Sequence, residues 1–330
     1  MCSVSVITIF LNAEAFIAEA IDSVLAQSFR SFELILVDDG STDTSSAIAR
    51  RYAEIHPDRV RYIDHPQHAN RGMSASRNAG ISVARGDLIA FVDADDVWLP
   101  DKLRDQVSIL DAHPQVGLVA GATLYWESWR GGEDRTVLVG HVQNQVIDPP
   151  GALLSFYPLG KAESPSPSCL IVRRSVVESV GGFEASYIGR LQMYEDQAFL
   201  AKVYLRTSVY LSDRTWFKYR QHDSSCMAEN VKAGHYNAVR QHFLAWFARH
   251  LTEVGFTNSK VWRKLWVANW PYRYPRLHRT LWPIYLKTRR VWRGMKRRWS
   301  LLRRRLLLRR RLLLRRRLRC RLIFLSPGSH

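Results

Sequence analysis

The stretch VSVITIFLNAEAFIAEAIDSVLAQSFRSFELILVDDGSTD, residues 4–43, opens on a β-branched, mostly apolar run from Val4 to Phe10 that reads as a buried strand. Asn12 follows where a helix N-cap would stand. Phe16, Ile17, Ala20, Ile21, Val24 and Leu25 then recur at helical spacing. A second apolar run, Leu34 to Val37, stops abruptly at DDGSTD. Farther along, Val60 to Ile63 and Leu88 to Val92 repeat the pattern, the latter ending in DADD. Strands alternating with helices predict an α/β domain with a largely parallel sheet, in which ligands gather at the carboxyl ends of the strands. Both acidic clusters fall at such ends.

Past Gly121 the pattern is less regular. Trp126 and Trp129, a Gly-Gly turn and the loop SPSPS (164–168) precede CLIVRRSVVESVGGF (169–183), a short strand and a helix that Gly181 and Gly182 stop. The pair Glu195 and Asp196, a helical stretch and the segment Tyr219 to Ser225 come next. The body is expected to end near residue 250, leaving residues 251–330 as a Trp/Arg/Leu-rich basic extension that is helical or irregular.

Charge supports that division. Of the formal +18, the stretch from Met1 to Glu253 contributes 24 Lys+Arg against all 30 Asp+Glu, whereas Val254 to His330 holds 24 basic residues and no acidic one. Only the extension calls for an anionic partner. Its repeat RRRLLLRRRLLLRRR (303–317) has a period of six, so on a helix successive leucine triplets point about 240° apart and leave almost no amphipathic face. With 330 residues, 46% of them hydrophobic, the chain can bury a sizeable core, which excludes disorder throughout. Cys2, Cys169, Cys226 and Cys320 form no CxxC pair, so neither a zinc site nor a disulfide framework is expected. The start MCSVSVITIF lacks a basic n-region and a cleavage site, and no run reaches the roughly 18 apolar residues of a membrane span. The expectation is a cytoplasmic protein that meets a membrane only peripherally, at its inner face.

Four further segments carry chemistry: NRGMSASRNAG (70–80), FVDADDVWLP (91–100), MYEDQAFLAKVYL (193–205) and YRQHDSS (219–225). Two carboxylates two residues apart in extended chain point the same way and offer oxygens to a hard divalent ion. Taken in order with residues 4–43, these segments closely resemble family 2 glycosyltransferases with the GT-A fold, over roughly residues 3–225. One departure is the first strand, where ITIFLN replaces the usual Pro-Thr-Tyr-Asn type of ending.

The resemblance implies a mixed, mostly parallel, Rossmann-like sheet flanked by helices, and an inverting transfer of a sugar from a nucleotide-diphosphate donor. That donor is expected to be a UDP-sugar, and the acceptor a hydroxyl of a saccharide or lipid-linked molecule in polysaccharide or glycolipid synthesis. It puts base reading on Asp39 with Asp38 beside it, and a carboxylate does accept the ring N–H of uracil. Gly40 would let backbone approach the nucleoside. Arg77 is expected to face the donor's phosphates. Asp95 is the implied ligand of Mn²⁺ or Mg²⁺, with Asp93 near the ribose and Asp96 capping the next helix. Asp196 is the implied general base, with Glu195 as the alternative. His222 would close over metal and phosphates as an imidazole ligand or donor.

A rival reading is a non-catalytic basic adaptor that binds anionic membrane or nucleic acid through its tail. The intact acidic motifs argue against it, and a body that repels phosphate chains makes nucleic acid the weaker partner. Residues 255–325 are therefore expected to contact an anionic membrane surface.

Overall fold

Every residue of β1 (Val4–Phe10) and of β2 (Phe32–Asp38) is buried, as a parallel strand covered on both faces requires. A computed structural model describes residues 3–281 of the chain. In it β1 pairs in parallel with β2 on one side and β4 (Leu88–Phe91) on the other, and β3 (Val60–Asp64) extends the parallel set beyond β2. These are the four runs expected from the sequence. The remaining strands are β5 (Val97–Trp98), β6 (Val116–Trp126), β7 (Arg135–Val137), β8 (Gln145–Ile147), β9 (Ile171–Arg173) and β10 (Ser208–Arg220). The sheet order is β3-β2-β1-β4-β9-β6-β10-β5, with β7 on β6 and β8 on β10. β9 runs antiparallel to both β4 and β6, while β6 and β10 are parallel. The sheet is thus mixed and mostly parallel.

Helices α1 (Ile17–Leu25), α2 (Ser45–Ile55), α3 (Met73–Val83) and α4 (Lys102–Ala112) follow β1, β2, β3 and β5. α1 buries Ile17, Ala20, Ile21 and Val24, the face that its spacing predicts. Asn12 does not cap it: the helix begins five residues later, and Asn12, at a left-handed φ of 51°, accepts the Thr42 N–H on its side-chain oxygen at 2.7 Å. The link is to the DDGSTD loop, so Asn12 joins the ends of β1 and β2. Later come α5 (Gly151–Ser155), α6 (Arg174–Ser179), α7 (Glu195–Arg206), α8 (Cys226–Lys232), α9 (Tyr236–Glu253) and α10 (Ser259–Arg273). Phe91, Phe183 and Phe199 fix α7 against the sheet, the last two stacked with centroids 4.2 Å apart.

A first compact unit runs through Asn269, past the expected boundary of 250. The reason is apolar burial: α9 covers Val239, Phe243, Leu244, Phe247 and Leu251, and α10 covers Val261, Leu265 and Ala268. A second unit begins at Trp270, and its Arg/Leu repeat lies outside the described residues. The two described free cysteines, Cys169 and Cys226, form no disulfide.

Candidate active site

The carboxyl ends of β1, β2 and β4 meet the loop after β10, and the acidic motifs lie there. Asp38 is fully buried and spends its carboxylate on its own loop, accepting from Ser41 N–H at 2.8 Å, Tyr62 Oη at 2.9 Å and Ser46 Oγ. Burial alone would raise its pKa, but these hydrogen bonds outweigh that and hold the carboxyl below its usual range. Asp38 therefore shapes the turn instead of presenting a free carboxylate. Asp39 accepts Arg71 N–H at 2.7 Å and Gly72 N–H at 3.0–3.1 Å, with His65 Nε2 3.6 Å away. Gly40 has φ of 86°, and a Cβ there would meet His68 O at 2.8 Å and Asn70 N at 2.9 Å. The backbone that approaches this glycine is the chain's own loop 68–70, where a nucleoside was expected. His65 and His68, given no role from the sequence, brace that loop through Ser76 Oγ and Ser41 O, each at 2.8 Å.

Arg77 is 1% exposed. One arm of its guanidinium donates to Asp93 Oδ1 at 2.6 Å and the other to Glu195 Oε1, while its carbon lies 5.4 Å from the centre of the Phe183 ring. The expectation that it faces donor phosphates is corrected: both arms are committed inside the protein. The bridge joins β4's acidic end to α7's first turn. Gln192 adds a second tie, its Oε1 accepting Met73 N–H at 2.7 Å.

Glu195 is 1% exposed, and burial pushes its carboxyl up to about 8 against the pull of Arg77. Asp196, next in the chain, is half-buried and bonded to its own helix end, Oδ1 accepting Gln197 N–H at 2.6 Å. Burial raises it to about 6, the helix N–H and Arg77 holding it from rising further. Of the two acids, Asp196 is the one partly open to solvent.

Asp95 Oδ2 and His222 Nε2 stand 2.8 Å apart, and His222 Nδ1 is oriented by Ser224 Oγ at 2.8 Å. The two implied ligands from opposite ends of the chain therefore meet. Asp96, expected to cap α4, is fully buried and accepts Arg220 N–H at 3.0 Å, while the residue ahead of α4 is Asp101. Burial and the neighbouring Asp95 and Asp93 raise its carboxyl well above the usual range. Asp95 facing the His222 imidazole is an oxygen and nitrogen donor pair that suits Mn²⁺, which accepts both, and less well Mg²⁺. Among the described residues no group of three or more His, Cys, Asp or Glu side chains is placed to hold a cation. A metal here would complete its shell with diphosphate oxygens and water, as ions of this kind do. A cavity of about 410 Å³ adjoins this corner, lined by Tyr125, Glu127, Glu133, Asp134, Arg135 and Gln221.

Gln192 was not singled out in the sequence, Phe16 stood there only as an apolar position at helical spacing, and Arg220 only as part of YRQHDSS. Arg220 closes a strand of alternating large residues, TWFKYR.

The family profile described as Glycosyl transferase family 2 matches residues 5–181. An uncharacterised glycosyltransferase of Nostoc sp. is 33% identical over 177 residues, 54% of this chain and 52% of its own length. The chain spans about half the length of that relative. Among solved structures, S. aureus TarS 1–349 superposes with a TM-score of 0.59 at 18% identity, covering 84% of this chain and 74% of its own. The mannosyltransferase PcManGT of Pyrobaculum calidifontis, solved with GDP-Man and Mn²⁺, gives 0.53 at 22%, covering 76% and 64%. At these identities the likeness is one of fold, and that fold is the GT-A sheet.

Proposed function

Because the chain belongs to glycosyltransferase family 2, we propose that it transfers one sugar, with inversion, from a nucleotide-diphosphate donor, a UDP-sugar, to a hydroxyl of a saccharide or lipid-linked acceptor. The observation that carries this reading is the Arg77 bridge, which fixes the acidic end of β4 against the first turn of α7, beside Asp196. In this reading Asp196 takes the proton of the acceptor hydroxyl while that oxygen attacks the anomeric carbon and the nucleotide diphosphate leaves from the opposite face. A carboxyl near 6 is ionised at neutral pH and still basic enough to accept a proton. Glu195, buried against Arg77, serves as the strut that holds Asp196 in place.

Asp95 and His222 would hold a divalent cation, Mn²⁺ before Mg²⁺, and when bound the metal would neutralise charge on the departing diphosphate. Asp39 reads the base from the loop it braces, and Asp93, a quarter exposed, lies on the ribose side. The cavity beside Gln221 is lined by the carboxylates of Glu127, Glu133 and Asp134, polar groups of the kind that bind hydroxyl-rich rings. The test is metal-dependent release of nucleotide by wild type and Asp196→Asn: equal turnover in both removes Asp196 as the base.

In this reading the acceptor lies at an anionic membrane surface. Among the described residues no helix is long and apolar enough to cross a membrane. α10, by contrast, exposes Trp266 and Val267 beside Lys260, Arg263 and Lys264, with no acidic residue. Aromatic and basic side chains so arranged suit the headgroup region.

A further inference from the structure

We infer that Arg220 is a positioning residue that builds the metal corner, setting Asp95 and His222 for a divalent cation; this rests on the metal reading above. Arg220 is the last residue of β10 and only 4% exposed. Its Nε–H donates to the backbone carbonyl of Asp95 at 2.8 Å, and its own N–H donates to Asp96 Oδ1 at 3.0 Å. One residue therefore grips two consecutive residues of the acidic loop, through main chain on one and side chain on the other. Two residues farther on, His222 reaches Asp95 Oδ2. The peptide that carries the proposed carboxylate ligand and the chain that carries the imidazole are thus tied together by a single side chain.

The guanidinium is itself locked. Its carbon lies 4.3 Å from the ring centre of Trp126 and 4.9 Å from those of Phe16 and Trp129, and one amino group pairs with Glu19 on α1. Those rings also hold the chain around it. Trp129 Nε1 donates to Gln221 O at 3.2 Å, Gln221 N–H to Trp126 O at 3.2 Å, and the Phe16 and His222 rings stand 5.1 Å apart. A planar fork that stacks and donates along separate edges fits this cage, and a lysine ammonium does not. Such outer partners orient the ligands of a metal, and losing one weakens metal affinity by about 10- to 100-fold.

The test is Mn²⁺ binding in the presence of UDP, followed by the electron paramagnetic resonance of free Mn²⁺ on the full chain, with thermal unfolding as the check of fold. Arg220→Lys and Arg220→Met are expected to raise the Mn²⁺ Kd by about 10- to 100-fold, and turnover of Arg220→Lys to recover at high Mn²⁺. Glu19→Gln, which frees one arm of Arg220 at a half-exposed position, is expected to shift the Kd in the same direction by less. Glu19→Gln keeps the inference testable should the Arg220 variants fail to fold. Wild type that binds Mn²⁺ alongside folded variants of unchanged Kd overturns the inference alone. Wild type that binds no Mn²⁺ with UDP overturns the metal reading and this inference with it.

Discussion

At the scale of single residues, the account turns on how burial tunes the two neighbouring acids at the start of α7. Asp196 is raised to about 6, so as the proposed base it is ionised above that pH and protonated below. The sign is fixed: kcat/KM should fall as pH drops through about 6 and be flat above it, measured as nucleotide release between pH 5 and 8. A profile without an acid limb contradicts the assignment. Asp196→Asn should lower turnover by about 10²- to 10⁴-fold, the usual contribution of a general base, with thermal unfolding unchanged. Arg77 lowers the Asp196 pKa from within the protein, so Arg77→Gln should move the acid limb to higher pH. The same change strands Glu195 and Asp93 and should cost about 3–5 kcal/mol by chemical unfolding. Sequence reasoning singled out Asp196, Asp95 and His222 as candidates because each sits in a motif with company. It misjudged Arg77, whose partners come from β4 and α7, because nothing in NRGMSASRNAG tells a guanidinium aimed at solvent from one aimed inward.

At the scale of elements, a strand or helix was legible where its own residues carry the pattern, as in β1 to β4, β9, α6 and α7, and β10 was not. β1, β2 and β4 are short apolar runs ended by polar turns, so each reads as a strand from its own residues even though β1 and β4 lie far apart in sequence. β10 is a long strand whose burial does not alternate cleanly, and its longest partner, β6, is far away in sequence. Its burial depends on that partner, and only its last two residues, Tyr219 and Arg220, fell within a motif singled out from the sequence, YRQHDSS. The first compact unit runs through Asn269, and the apolar stripes of α9 and α10 identify a helix without saying what it covers. Close packing of the first half gives a test at this scale. Gly86 sits where a Cβ would meet Ser5 N at 2.6 Å and Val4 C at 2.7 Å, both backbone atoms of the central strand. Gly86→Ala should therefore destabilise by about 1–3 kcal/mol, seen as a lower midpoint of denaturation. A midpoint equal to wild type would show that the strand yields without cost.

At the scale of the whole molecule, a mildly acidic catalytic body is joined to an intensely basic extension. In the proposed reading the extension contacts an anionic surface, a task that the charge of the body would hinder. Full-length protein should co-sediment with vesicles of anionic lipid at low salt, and lose binding steeply as salt rises, because surface charges act over about 10 Å at 0.1 M salt. Vesicles of neutral lipid should not retain it. The central claim, that this chain is a metal-assisted sugar transferase built around Asp95, His222 and Asp196, is tested most directly by a panel of nucleotide sugars scored for nucleotide release with and without Mn²⁺. The account predicts release from a UDP-sugar that needs Mn²⁺ and falls sharply in Asp95→Ala and Asp196→Asn. Release that is indifferent to Mn²⁺, or equal in both variants and wild type, would contradict it.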